Sequence, residues 1–116
     1  DLLDAEAVTR PALDRLLRGA GWDDAERTAL LTKSRVRAAL NQYGLLTGRG
    51  GAMPFARRRA LFARILADGE ARAALRARLR QDPNRLAALP YRLGAALRAP
   101  GMLAAYTMVK NRLLGL

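Results

Sequence analysis

The chain has 116 residues and a formal net charge of +11, with no cysteine and no histidine. A length of this order makes about one domain. The missing residue types exclude thiol nucleophiles, Cys/His zinc sites and the commonest general base. With Ser34 as the lone serine and no convergent set of carboxylates, an independent enzyme is not expected, and neither is a cofactor or a metal.

Ala, Leu and Arg make up more than half of the residues, whereas Val and Ile together number four and aromatics are 5%. Good helix formers dominate and strand formers are scarce, so the expected fold is all-α: a compact bundle of five to seven short helices. In chain order, the first helix is expected from Thr9 to Arg18, with Thr9 as cap, Pro11 in the first turn and Leu13, Leu16 and Leu17 on one face. Asp1–Val8 either precedes or extends it. Gly19 and Gly21 end it. Asp23 and Glu26 have capping-box spacing and open a second helix that reaches Leu46, with Leu30, Val36, Leu40 and Tyr43 inward and a possible restart at Ser34.

Residues 47–53 (TGRGGAM) read as a flexible linker, because three glycines break helix. Pro54 then opens a third helix with an apolar face of Phe55, Leu61, Phe62, Ile65 and Leu66. After Asp68-Gly69 a fourth helix runs to about Gln81, with Ala71, Ala74, Leu75 and Leu79 inward. Asp82-Pro83 stops it and caps the next. Pro90 and Pro100 are expected to cut the remainder into helices at 83–89, 90–98 and 101–114.

Charge is spread unevenly. Residues 1–32 hold seven acids against four arginines, and residues 33–116 hold seventeen bases against three acids. An acidic head ahead of a basic body is expected to fold against it, and the body points to a polyanionic partner, either nucleic acid or an anionic membrane. Nineteen of the 21 bases are arginine, the side chain suited to bidentate phosphate contact. The densest basic region offers Arg57, Arg58, Arg59, Arg64, Arg72, Arg76 and Arg80 as polyanion-binding candidates. Neither a helix-turn-helix spacing nor a set of stacking aromatics accompanies them.

From Pro83 onward there is no acid, against five bases. Here Tyr91, Met102, Leu103, Tyr106, Val109 and Leu113 suggest a membrane or partner face of the interfacial-helix type. The longest uncharged apolar run, Ala99–Val109, falls short of the roughly 20 residues of a membrane span. Two weaker candidates are a phosphate cradle at Gly48-Arg49-Gly50-Gly51 and a cation site at Asp23-Asp24, for which linker and helix-cap roles are the simpler readings. A first residue that is Asp rather than Met suggests a piece of a longer chain.

The stretches PFARRRALFARILADGEARAALRARL (Pro54–Leu79) and YRLGAALRAPGMLAAYTMVKNRLLGL (Tyr91–Leu116) resemble, in texture and layout, the Arg/Ala/Leu-rich helical regions that follow the catalytic domain in some bacterial glycosyltransferases building cell-surface polysaccharides. The resemblance covers residues 54–116. It implies a non-catalytic accessory domain whose partners are an upstream catalytic domain of the same chain and the anionic inner membrane face, hence a cytoplasmic, peripheral location. No catalytic residue carries over. A helical module contacting nucleic-acid phosphates through its arginines is the alternative expectation.

Overall fold

The computed structural model describes residues 1–48 and 53–113. Among them are six helices and no strand: α1 (Leu2–Gly19), α2 (Asp24–Thr47), α3 (Phe55–Ala67), α4 (Gly69–Arg80), α5 (Arg85–Ala96) and α6 (Pro100–Leu113). The all-α class follows from composition, and most boundaries follow from local hydrogen bonding. Residues 49–52, and with them most of the glycine-rich segment, lie outside the described residues, while Thr47 at its start is still helical.

α1 starts at Asp1, not at Thr9. The Asp1 carboxylate accepts the Asp4 N–H at 2.8 Å and supplies the cap eight residues earlier. The Thr9 hydroxyl instead donates back to Ala5 O. Pro11 therefore lies inside the helix, and the carbonyl it cannot serve is that of exposed Ala7, which water can satisfy. The helix closes with Trp22 N–H donating to Leu17 O and Gly21 N–H to Arg18 O, around Gly21 at φ 85°.

α2 is capped by Asp23, whose carboxylate accepts the Glu26 N–H, and runs unbroken through Lys33–Ser34. Asp68 ends α3 and caps α4 by accepting from Glu70 and Ala71 N–H groups. α5 is capped by Asn84 rather than by Asp82, which itself accepts the Asn84 N–H in a tight turn. The expected break at Pro90 does not occur. One helix passes through it, because the carbonyl left without a donor belongs to Leu86, which is exposed to water.

α1 packs antiparallel on α2, fastened at its start by Leu2 N–H donating to the buried Gln42 Oε1 (2.8 Å). The core gathers Tyr43 and Leu46 from the end of α2, Leu61, Phe62, Ile65 and Leu66 from α3, Ala71, Leu75 and Leu79 from α4, and smaller contributions from α5 and α6. The first half of α2 and the turn after α1 therefore project beyond that core, which gives the molecule its 52 × 28 × 21 Å shape. Two sequence expectations change here: Phe55 is 42% exposed and Leu16 is 70% exposed, both outside the core.

The open end of α2 is closed by cations from two other helices. Arg58 Nη1 donates to Leu46 O at 2.9 Å and Lys110 Nζ donates to Thr47 O at 2.8 Å. Lys110 also sits 5.4 Å above the Tyr91 ring. Edge-to-face contacts run from Phe62 through Tyr43 and Tyr91 to Tyr106, tying α3, α2, α5 and α6 together.

Candidate docking face on the C-terminal helices

α5 is arranged with its small residues inward. Its buried positions are Ala88, Gly94 and Ala95, while Leu86 (82%), Leu89 (44%), Leu93 (45%) and Leu97 just beyond its end (68%) remain exposed. At 100° per residue the four leucines fall within a band of about 80°, opposite Ala88 and Ala95. Packing explains the inversion. α6 approaches α5 so closely that a Cβ at Gly94 would lie 2.5 Å from Leu103 Cδ2, and only small side chains fit between the two axes. The leucines are turned outward as a consequence.

Arg85 and Arg92 lie beside this leucine band on the same helix. Across a furrow of about 230 Å³, α4 adds Arg76, Leu79 and Arg80 to Leu89, Arg92, Leu93 and Ala96 of α5. No carboxylate lines this furrow. An apolar helix face edged by arginines, in a stretch without acids, can enter the headgroup boundary of an anionic bilayer or cover an acidic amphipathic partner.

The six residues expected on the membrane or partner face divide. Leu103 is fully buried in the core, and Tyr91 and Tyr106 are half-buried in the aromatic chain. Met102, Val109 and Leu113 are exposed at 40%, 55% and 81%. α6 buries Leu103, Ala104, Thr107 and Asn111 instead, with the Thr107 hydroxyl satisfied by Leu103 O. A helix end at Pro90 hides the α5 leucines from a reading of the sequence alone. The spacing 86, 89, 93, 97 is visible only on a continuous helix.

The seven candidate arginines also divide. Arg58 is 4% exposed and donates to Met53 O and Leu46 O, so it holds the fold and faces no ligand. Arg72 Nη1 donates to Leu66 O at 2.7 Å, closing the end of α3. Arg57 pairs with Asp1 at 3.4 Å, and Arg64 pairs with Asp4 at 2.8 Å and with Asp1 at 3.6 Å. The acidic head thus folds against the basic body, as its charge predicts. Arg59, Arg76 and Arg80 stay exposed, with Arg76 and Arg80 on the furrow.

Asp23 is the N-cap of α2 and Asp24 its first residue, and among the described residues no group of three His, Cys, Asp or Glu could hold a metal. No described helix is long and apolar enough to cross a membrane. No protein-family model, curated protein or solved structure matches the chain.

Proposed function

We propose that the chain is a non-catalytic helical accessory module that docks its parent enzyme on an anionic membrane surface through the exposed face of α5. The observation that carries this reading is the leucine band Leu86, Leu89, Leu93 and Leu97, edged by Arg85 and Arg92 in a segment without acids. A fully buried leucine is worth about 2 kcal/mol. The exposed fractions of the four therefore represent on the order of 5 kcal/mol of gross insertion energy. Each nearby arginine adds about 1 kcal/mol at an anionic surface. Neither contribution holds a module of this size firmly alone; together they suffice for reversible docking. The resemblance of residues 54–116 supports a parent enzyme of the surface-polysaccharide glycosyltransferase class, in which such a module sits beside the catalytic domain.

The test is co-sedimentation of the chain with anionic and neutral vesicles at physiological salt, with duplex DNA as competitor. Binding to anionic vesicles that DNA does not displace, weakened about a hundredfold in a Leu86→Ser/Leu97→Ser variant, is the expected result. Displacement by DNA would replace this reading with phosphate contacts to nucleic acid. Absence of binding to either would make the α5 face a contact for the catalytic domain of its own chain.

A further inference from the structure

We propose that the furrow between α4 and α5 is a binding site for a single phosphate-bearing amphiphile, with its anionic head on Arg76, Arg80 and Arg92 and its hydrocarbon chain along Leu79, Leu89 and Leu93. This deepens the reading of α5 as the membrane-facing helix and rests on it for the source of the ligand, which the bilayer would supply.

Positive charge is unevenly compensated over the molecule. Several arginines meet carboxylates, namely Arg10 with Glu6, Arg27 with Asp14 and Asp24, Arg35 with Asp68 and Glu70, and Arg57 and Arg64 with the start of α1, and others such as Arg59 and Arg98 stand singly on the surface. The furrow instead brings three arginines around one space with no acid among its lining residues. Arg76 and Arg80 stand four apart on α4, a like-charge spacing that weakens a helix. Arg80 at least benefits from the end of the α4 dipole, where cations are favoured. Arg76 and Arg92 lie away from their helix ends and have no such compensation. An anion between them would supply it, and guanidinium groups match phosphate oxygens in charge and geometry.

The rest of the lining selects an amphiphile over a bare anion. Leu79, Leu89, Leu93 and Ala96 form an apolar floor within about 230 Å³. Two turns of a helix about 10–12 Å wide occupy on the order of 1,000 Å³, several times the furrow's volume, whereas a single hydrocarbon chain is on its scale. A phosphate head attached to such a chain satisfies both parts of the lining at once.

The experiment titrates the full chain with dodecyl phosphate below its micelle concentration and follows backbone amide resonances. Inorganic phosphate, dodecyl maltoside and an acidic amphipathic peptide serve as parallel probes. The expected result is one-to-one saturation by dodecyl phosphate, with shifts confined to the furrow residues. Affinity should fall about tenfold for each of inorganic phosphate, dodecyl maltoside and the Arg76→Gln/Arg92→Gln variant. Val8→Ser, at an exposed position of α1 outside the furrow, should leave dodecyl phosphate binding unchanged. Equal affinity for inorganic phosphate would make this a free-phosphate site and overturn the hydrocarbon half of the proposal. Equal affinity for dodecyl maltoside would overturn the phosphate half, and tighter binding of the peptide would overturn both. If dodecyl phosphate does not bind while anionic vesicles still sediment the chain, the furrow proposal falls and membrane docking stands. If dodecyl phosphate saturates the furrow while vesicles do not sediment the chain, the site stands and the docking falls.

Discussion

At Gly94 the missing side chain is what lets α5 and α6 approach, since an added Cβ would meet Leu103 Cδ2 at 2.5 Å and Cγ at 2.7 Å. Leu103 is fully buried and has little room to yield. Gly94→Ala is therefore expected to destabilise the chain by about 1–3 kcal/mol despite the better helix propensity of alanine, as read by urea or thermal unfolding. Arg98 presents the reverse case. It holds φ 51° at the end of α5, where Ala99 N–H reaches Gly94 O and Arg98 N–H reaches Ala95 O. That position favours glycine, as Gly21 shows at the end of α1. Arg98→Gly should stabilise by about 1 kcal/mol in the same unfolding measurement.

At the scale of the helix, Pro90 is where reading the chain by local rules fails. A proline that should end a helix is carried through it because the lost bond lies on the wet side, over exposed Leu86. Pro90→Ala restores a donor for the Leu86 carbonyl and is expected to stabilise by about 1–3 kcal/mol without altering the leucine band; unfolding together with vesicle co-sedimentation checks both halves. The α3–α4 junction makes a pH prediction. Burial works against the Asp68 carboxylate, yet Arg35 and the Ala71 and Glu70 N–H groups outweigh it and hold its pKa below the usual range. A depressed folded pKa contributes stability above the unfolded value, near 4. That contribution is lost as pH falls through the folded pKa. Stability should therefore decline on acidification below about pH 4, and Asp68→Asn should lose most of this dependence. In the capping pair of α2 the two carboxyls shift in opposite directions, Glu26 raised by its hydrogen bond to Asp23 and Asp23 lowered by the Glu26 N–H.

For the whole molecule, the charge split becomes a set of contacts between its two ends. Asp1 and Asp4 reach Arg57 and Arg64 across more than fifty residues of sequence. The Asp1→Asn/Asp4→Asn variant keeps a competent N-cap, so it isolates the charge. It should lose about 1–2 kcal/mol at low salt, and the part due to exposed Asp4 should be screened out near 1 M salt, where the Debye length is about 3 Å, while the part due to the covered Asp1 carboxylate persists. The freed Arg57 and Arg64 should also strengthen binding to anionic vesicles, which co-sedimentation reads directly.

Composition and local punctuation determined much of this protein. Few β-branched and aromatic residues, together with Asp23, Asp68 and Gly21 at helix ends, were enough to specify an all-helical chain and most of its helix boundaries. These are short-range effects between residues a few positions apart, so they are visible in one dimension. Tertiary structure alone decided which side of each helix is the inside. Arg58 looks like its neighbours Arg57 and Arg59 until the open end of α2 is placed against it. Leu103 resembles Met102 until Gly94 admits α6 to within contact. The leucines of α5 look like core until the small residues opposite them take that place. Burial depends on the close approach of segments distant in sequence, and hydrophobicity alone does not say which of two apolar faces that approach will cover.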